Sequence, residues 1–255
     1  RRFAKRVMRK RSGSISSPII KTMEGLQGEG KNDRYFCAIK YIMEVNGHNG
    51  NQVLFYFIPK KTHWRYDPDN IFESQKIKNL INTIIREGHA VGIHPGYNTY
   101  KDFAVMNCSV STGKKVFNDA GLNCNKLESR QHYLRWCAFN TPQLLDDMGV
   151  CVDSSVGYPD VAGFRAGTSR EFSLFSLKQL SQLKLKERPL IVMESAILSR
   201  NAMNMSNIEE ALELVMDLKR KCQMMKGKFT LLWHNSDFIS NFDHSLYEKI
   251  IGENF

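Results

Sequence analysis

Three of the seven histidines end apolar, β-like runs, where an imidazole can reach a shared face: His94 in VGIHPGYNTY, His132 in ESRQHYLRW and His234 in TLLWHNS. A neutral imidazole can ligate a divalent metal through one ring nitrogen, and a charged one can give up a proton. Three of them at strand ends therefore suit metal-assisted hydrolysis or acid–base work. A histidine before a turn is more often a hydrogen-bonded structural residue, and that reading stands beside the catalytic one for each. His94 runs into Pro95 and Gly96, a turn pair that would leave the ring at the mouth of a sheet. Around His132, strand alternation would put Arg130, His132 and Leu134 on one face, where polar groups need partners.

A second group of residues could handle a carboxylate. Arg165 lies in Gly163-Phe164-Arg165-Ala166-Gly167-Thr168, downstream of Asp153-Ser154-Ser155-Val156-Gly157-Tyr158. Glycines on both sides allow close backbone approach, and a guanidinium can hold a carboxylate by paired hydrogen bonds. A surface arginine in a glycine-bracketed turn is the equal alternative. Glu194, in VMESAIL, is a further ionisable group just past an apolar run.

These residues need elements to carry them. Short apolar runs rich in β-branched and aromatic residues alternate with longer stretches of helical periodicity, the pattern of βα units on a parallel sheet. Strands are predicted near Gln52 to Ile58, Ala90 to His94, Leu127 to Leu134, Val150 to Ser154, Gly163 to Ala166, Pro189 to Ser195 and Lys228 to His234. Helices are predicted over Tyr35 to Glu44, Ile71 to Glu87, within Lys101 to Ala120, Thr141 to Met148, Asn207 to Lys226 and Ser245 to Ile251. Gly or Asn near several helix ends, as in REGHAVGIH, NDAGLN and DDMGVCVD, suits a left-handed cap before the next strand. In such folds functional groups collect at the C-terminal ends of the strands, where His94, His132, Asp153, Arg165, Glu194 and His234 fall.

Composition narrows the classes. A chain of 255 residues with 42% hydrophobic content can bury a substantial core, so disorder is not the expectation. No run approaches a membrane span, and no signal-peptide core follows the basic start. The first eleven residues, RRFAKRVMRKR, hold seven Lys or Arg and no acid, so most of the net charge of +10 is local. Such a run could meet phosphates or an anionic membrane, but a solvated helix face explains it as well, and no nucleic-acid function is built on it. Six cysteines show no zinc-site spacing, are expected to be reduced, and favour a cytoplasmic protein. The expected division is a basic segment and loop over residues 1–30 and one domain over residues 31–255, acting as a monomer.

Taken in order, HPGY, SRQHYLRW, DSSVGYPDVAGFRAGT, VMESAIL and LLWHNS resemble the polysaccharide deacetylases of carbohydrate esterase family 4, in a divergent bacterial branch, over roughly residues 34–238. The resemblance implies an α/β fold of the (β/α)7, TIM-barrel-like kind. It also implies a divalent metal, usually zinc, held by one aspartate and two histidines, with a second aspartate as general base. GFRAGT is similar to the family's Arg-x-Pro motif and Leu232-Trp233-His234 to its Leu-x-His motif. His234 is then implied to be the general acid, with Glu194 orienting it and Arg165 positioning the base. His94 is the implied first metal histidine. Asn98 stands where the second belongs, so His132 is read in its place, which requires two neighbouring strand ends to meet around one site. Asp153 is implied to be a supporting or substrate-binding group. Arg130, Tyr97, Tyr158, Trp136 and Trp233 are candidate glycan contacts, although most aromatics in such a domain are core.

The family's opening aspartate motif has no counterpart in residues 1–50. The expectation is that the first strand lies upstream, leaving the chain as given without its base and one ligand, and inactive by itself. The function implied is a hydrolase of non-peptide carbon–nitrogen bonds, removing N-acetyl or O-acetyl groups from a glycan or its precursor in carbohydrate metabolism. A non-catalytic carbohydrate-binding relative is the alternative.

Overall fold

A computed structural model describes residues 33–252, so the predicted basic segment over residues 1–30 lies outside the described residues. Helix α1 (Arg34–His48) opens on Asp33, whose carboxylate accepts the Tyr35 N–H at 2.9 Å. It buries Tyr35, Ala38, Ile39, Ile42 and Met43, the three-and-four spacing of one helical face. Helix α2 (Gln75–Arg86) does the same with Ile77, Leu80, Ile81 and Ile84. Helices α3 (Phe103–Asp119) and α4 (Thr141–Asp147) complete this side of the molecule.

The strands are β1 (Leu54–Phe57), β2 (Ala90–Ile93), β3 (Glu128–Ser129), β4 (Val152–Asp153), β5 (Phe172–Ser176), β6 (Ser181–Glu187), β7 (Val192–Met193) and β8 (Leu231–Leu232). Six form one sheet in the order β1-β2-β3-β4-β6-β5, parallel except for the antiparallel β5–β6 pair. The parallel pair β7–β8 forms a second sheet. Faces of α2, α3 and α4 pack with Phe57, Ile93, Leu183 and Leu185 into the main core. A second core joins Ile191 and Val192 to α5 (Glu194–Leu198), α6 (Ile208–Met224) and α7 (Asn241–Gly252). Asn46 of α1 donates to the Tyr247 hydroxyl of α7 at 2.7 Å, tying the two parts together.

The architecture is α/β, with the predicted βα alternation. Three expectations are corrected. Gly163 to Ala166 is not a strand: Gly163 has φ of 147° and Gly167 of 69°, backbone that turns the chain rather than extending it. The predicted Leu127 to Leu134 strand stops at Ser129, and His132–Leu134 is a 3₁₀ turn with Tyr133 and Leu134 at positive φ. His132 is therefore placed by a turn, not by strand alternation. The β5–β6 hairpin was not foreseen, although β6 buries Leu183, Leu185 and Glu187 at alternate positions, the period of a half-exposed strand. No helix among the described residues is long and apolar enough to cross a membrane.

Candidate functional site

A cavity of about 820 Å³ lies between β1 and β8, walled by residues 51–58 and 228–235 together with α1 and α7. Its lining includes His94, Arg130, His132 and His234. Parallel pairing brings His94 and Arg130 together. Ile93 is opposite Ser129, so His94 and Arg130 leave adjacent strand ends together. The His94 N–H donates to the Phe57 carbonyl at 2.7 Å, and the His132 N–H to the Pro95 carbonyl at 3.1 Å. The two rings lie with centroids 5.0 Å apart.

Each ring is fixed through Nδ1. His94 Nδ1 bonds to the Arg130 carbonyl oxygen, which can only accept, so Nδ1 carries the proton. Burial, with His132 and Arg130 close by, pushes the His94 pKa well below the usual histidine value, leaving a neutral ring with a lone pair on Nε2. His132 Nδ1 is 2.7 Å from Asp67 Oδ1, and its Nε2 is buried without a hydrogen-bond partner.

Asp67 was not singled out from the sequence, yet it joins three loops. Its side chain accepts the Thr62 N–H (2.8 Å), the Thr62 hydroxyl (2.5 Å), the His63 N–H (2.8 Å) and the Tyr97 N–H (2.9 Å). Burial opposes its charge, but these donors and His132 outweigh it and hold the carboxyl down at about 2. Gly96 makes room for this cluster: a Cβ there would stand 2.7 Å from Thr62 Oγ1 and 2.8 Å from Asp67 Oδ2. Asn98 donates from Nδ2 to the Thr62 carbonyl at 2.8 Å and serves this same loop.

The second half of the site lies on β7 and β8. Met193 pairs with Leu232, so Glu194 and His234 follow from adjacent strand ends, and Glu194 Oε1 bonds to His234 Nδ1. Partial withdrawal from solvent disfavours the cation, but the Glu194 carboxylate outweighs it and raises His234 to about 9. Burial and the same carboxylate raise Asp237 to about 6. Among the described residues, Glu194, His234 and Asp237 are a group of three possible metal ligands, their ligand atoms within 4.8 Å of one another.

The remaining expected residues divide. Arg130 lines the cavity, donating to the Ser154 carbonyl and hydroxyl, both at 2.9 Å, with its guanidinium 4.8 Å from the Tyr56 ring centroid. Trp233 lines it too, stacked on Phe238 at 5.7 Å. Asp153 does not reach a ligand surface. It is fully buried, accepts from Ser129 Oγ and the Ser155 N–H, and is pushed above the usual carboxylate range by burial. Arg165 donates to the Gly157 carbonyl at 2.7 Å, and neither it nor Tyr158 is among the cavity-lining residues. Trp136 packs against the main core. Tyr97 belongs to a cluster with Tyr66 (4.4 Å) and the half-exposed Tyr133 (5.5 Å), and Tyr133 lies 4.7 Å from the His132 ring.

No family model matches the chain, and no curated protein matches it.

Proposed function

We propose that this domain is a metal-dependent hydrolase of the polysaccharide deacetylase kind, removing N-acetyl groups from a glycan. The observation that carries the reading is the imidazole pair. Both Nδ1 atoms are occupied, by a carbonyl at His94 and a carboxylate at His132, while the buried His132 Nε2 has no partner. Metal-binding histidines are commonly anchored in this way through the other ring nitrogen. His94 and His132 would hold the ion, with zinc the choice that follows from two imidazole donors, the part of the family's ligand set present here.

When bound, such an ion supplies Lewis acidity toward an acyl carbonyl and toward water. The chain's own residues supply the rest. His234, kept cationic beside Glu194, holds a proton for a departing amine, which leaves poorly without one. Tyr66, Tyr97 and Tyr133 offer ring faces beside His132 against which a sugar can pack. Asp67 is committed to His132 and the loop donors, so the reading assigns two ligands and a general acid, and no base. The two sheets are read as parts of one (β/α)7-type barrel, with β1 and β8 facing each other across the cavity.

The test measures zinc stoichiometry and acetate release from acetylated glycan oligomers for the intact protein and two variants. His94→Ala is expected to lose zinc. His234→Ala is expected to keep it while turnover falls by about 10²–10⁴-fold, the usual contribution of acid–base catalysis. Loss of zinc in His234→Ala would instead place the ion at Glu194, His234 and Asp237. Zinc binding without acetate release in the wild type would favour a carbohydrate-binding relative.

A further inference from the structure

We propose that Asp67 is a positioning residue that holds His132 in the tautomer with its proton on Nδ1, and so keeps Nε2 as a lone pair. The inference rests on the metal-site reading only for what the lone pair is used for. The tautomer itself follows from the hydrogen bonds.

The two oxygens of Asp67 have unequal duties. Oδ2 accepts the Thr62 N–H, the Thr62 hydroxyl and the His63 N–H, at 2.8, 2.5 and 2.8 Å. Oδ1 accepts the Tyr97 N–H at 2.9 Å and faces His132 Nδ1 at 2.7 Å. Backbone N–H groups can only donate, so both oxygens must accept, and an ionised carboxylate does so on each. His132 Nδ1 then has to be the donor. The ring is buried, with no other partner to bias its tautomer, since Nε2 has no hydrogen bond.

Asp67→Asn separates this role from a merely structural one. An amide has one accepting oxygen. Placed at Oδ2, it keeps the three Thr62 and His63 donors and the Tyr97 N–H, which also reaches Oδ2 at 3.2 Å, and its NH₂ then faces His132 Nδ1. Placed at Oδ1, it would set the NH₂ against three donors. The first arrangement leaves fewer conflicts, and His132 can satisfy it by moving its proton to Nε2. The lone pair would be lost from the side that the carboxylate protects.

The experiment is a two-bond proton–nitrogen correlation spectrum of the imidazoles in the metal-free chain, in weakly alkaline buffer, with His132 assigned by its absence in His132→Gln. The wild type is expected to show Nδ1 protonated and Nε2 bare. Asp67→Asn is expected to reverse this at His132, while His94 keeps its Nδ1 proton because its partner is the Arg130 carbonyl. An Nε2-protonated His132 in the wild type, or an unchanged tautomer in folded Asp67→Asn, overturns the proposal. Should the variant not fold, the wild-type spectrum alone decides. A zinc titration of the same proteins is expected to weaken about 10–100-fold in Asp67→Asn, the usual effect of losing an anchoring partner. A reversed tautomer with unchanged zinc affinity would support the role of Asp67 while removing His132 from the metal reading.

Discussion

Asp67–His132 and Glu194–His234 are the same pair of side chains, a carboxylate meeting an imidazole at Nδ1, put to opposite uses at the two halves of the site. Asp67 is buried and also accepts from Thr62, His63 and Tyr97, so it fixes three loops and one ring. Glu194 is equally buried but accepts no backbone N–H, and its neighbours are the side chains of His234 and Asp237. Its charge falls on His234, whose side chain is 43% exposed and is raised to about 9. A carboxylate saturated with donors holds geometry, and one left with an imidazole sets charge.

The largest test of that contrast is stability. Asp67→Ala strands several buried donors and is expected to cost about 3–5 kcal/mol, the scale of breaking a buried charged network. Glu194→Ala should cost clearly less, because a half-exposed His234 can shed its proton and meet water. Urea unfolding of both variants checks this, and equal losses would erase the distinction.

A smaller effect comes from removing the charge of Glu194 while keeping its shape. Glu194→Gln is expected to drop the His234 pKa from about 9 toward its ordinary 6.5, read directly by NMR titration. In the wild type the folded value lies above the unfolded one, so the stabilisation is whole below about 6.5 and is lost as pH rises through about 9. That window should close in Glu194→Gln. Asp237 and Arg130 also act on His234, so a residual shift after the substitution would measure their share.

The smallest change is one methyl group. Gly96→Ala would press on Thr62 Oγ1, Asp67 Oδ2 and the Lys60 carbonyl, and is expected to cost about 1–3 kcal/mol, the scale of overpacking. His234 is expected to keep its pKa in this variant. A shift there would show that the two halves are coupled through more than a shared cavity.

Periodicity made much of the fold legible. The spacing of Ile77, Leu80, Ile81 and Ile84 dictates α2, and the apolar runs before His94 and His234 mark β2 and β8. The β5–β6 hairpin is equally legible in SQLKLKE, where leucines alternate with polar residues at the period of a half-exposed strand. Arg165 reads as a strand-end residue bracketed by glycines, whereas the left-handed glycine at 167 belongs to a turn.

The sequence by itself determined which residues could do chemistry, because imidazole and carboxylate are properties of single side chains, and it determined the elements, because helix and strand periods are local. Tertiary structure alone decided their partners. Asp67 and His132 are 65 residues apart in sequence, and Glu194 and His234 are 40 apart. No local pattern distinguishes Asp67 from Asp69, its exposed neighbour two residues on. What separates them is the set of donors that folding brings to one and not the other, and that set exists only when three loops meet.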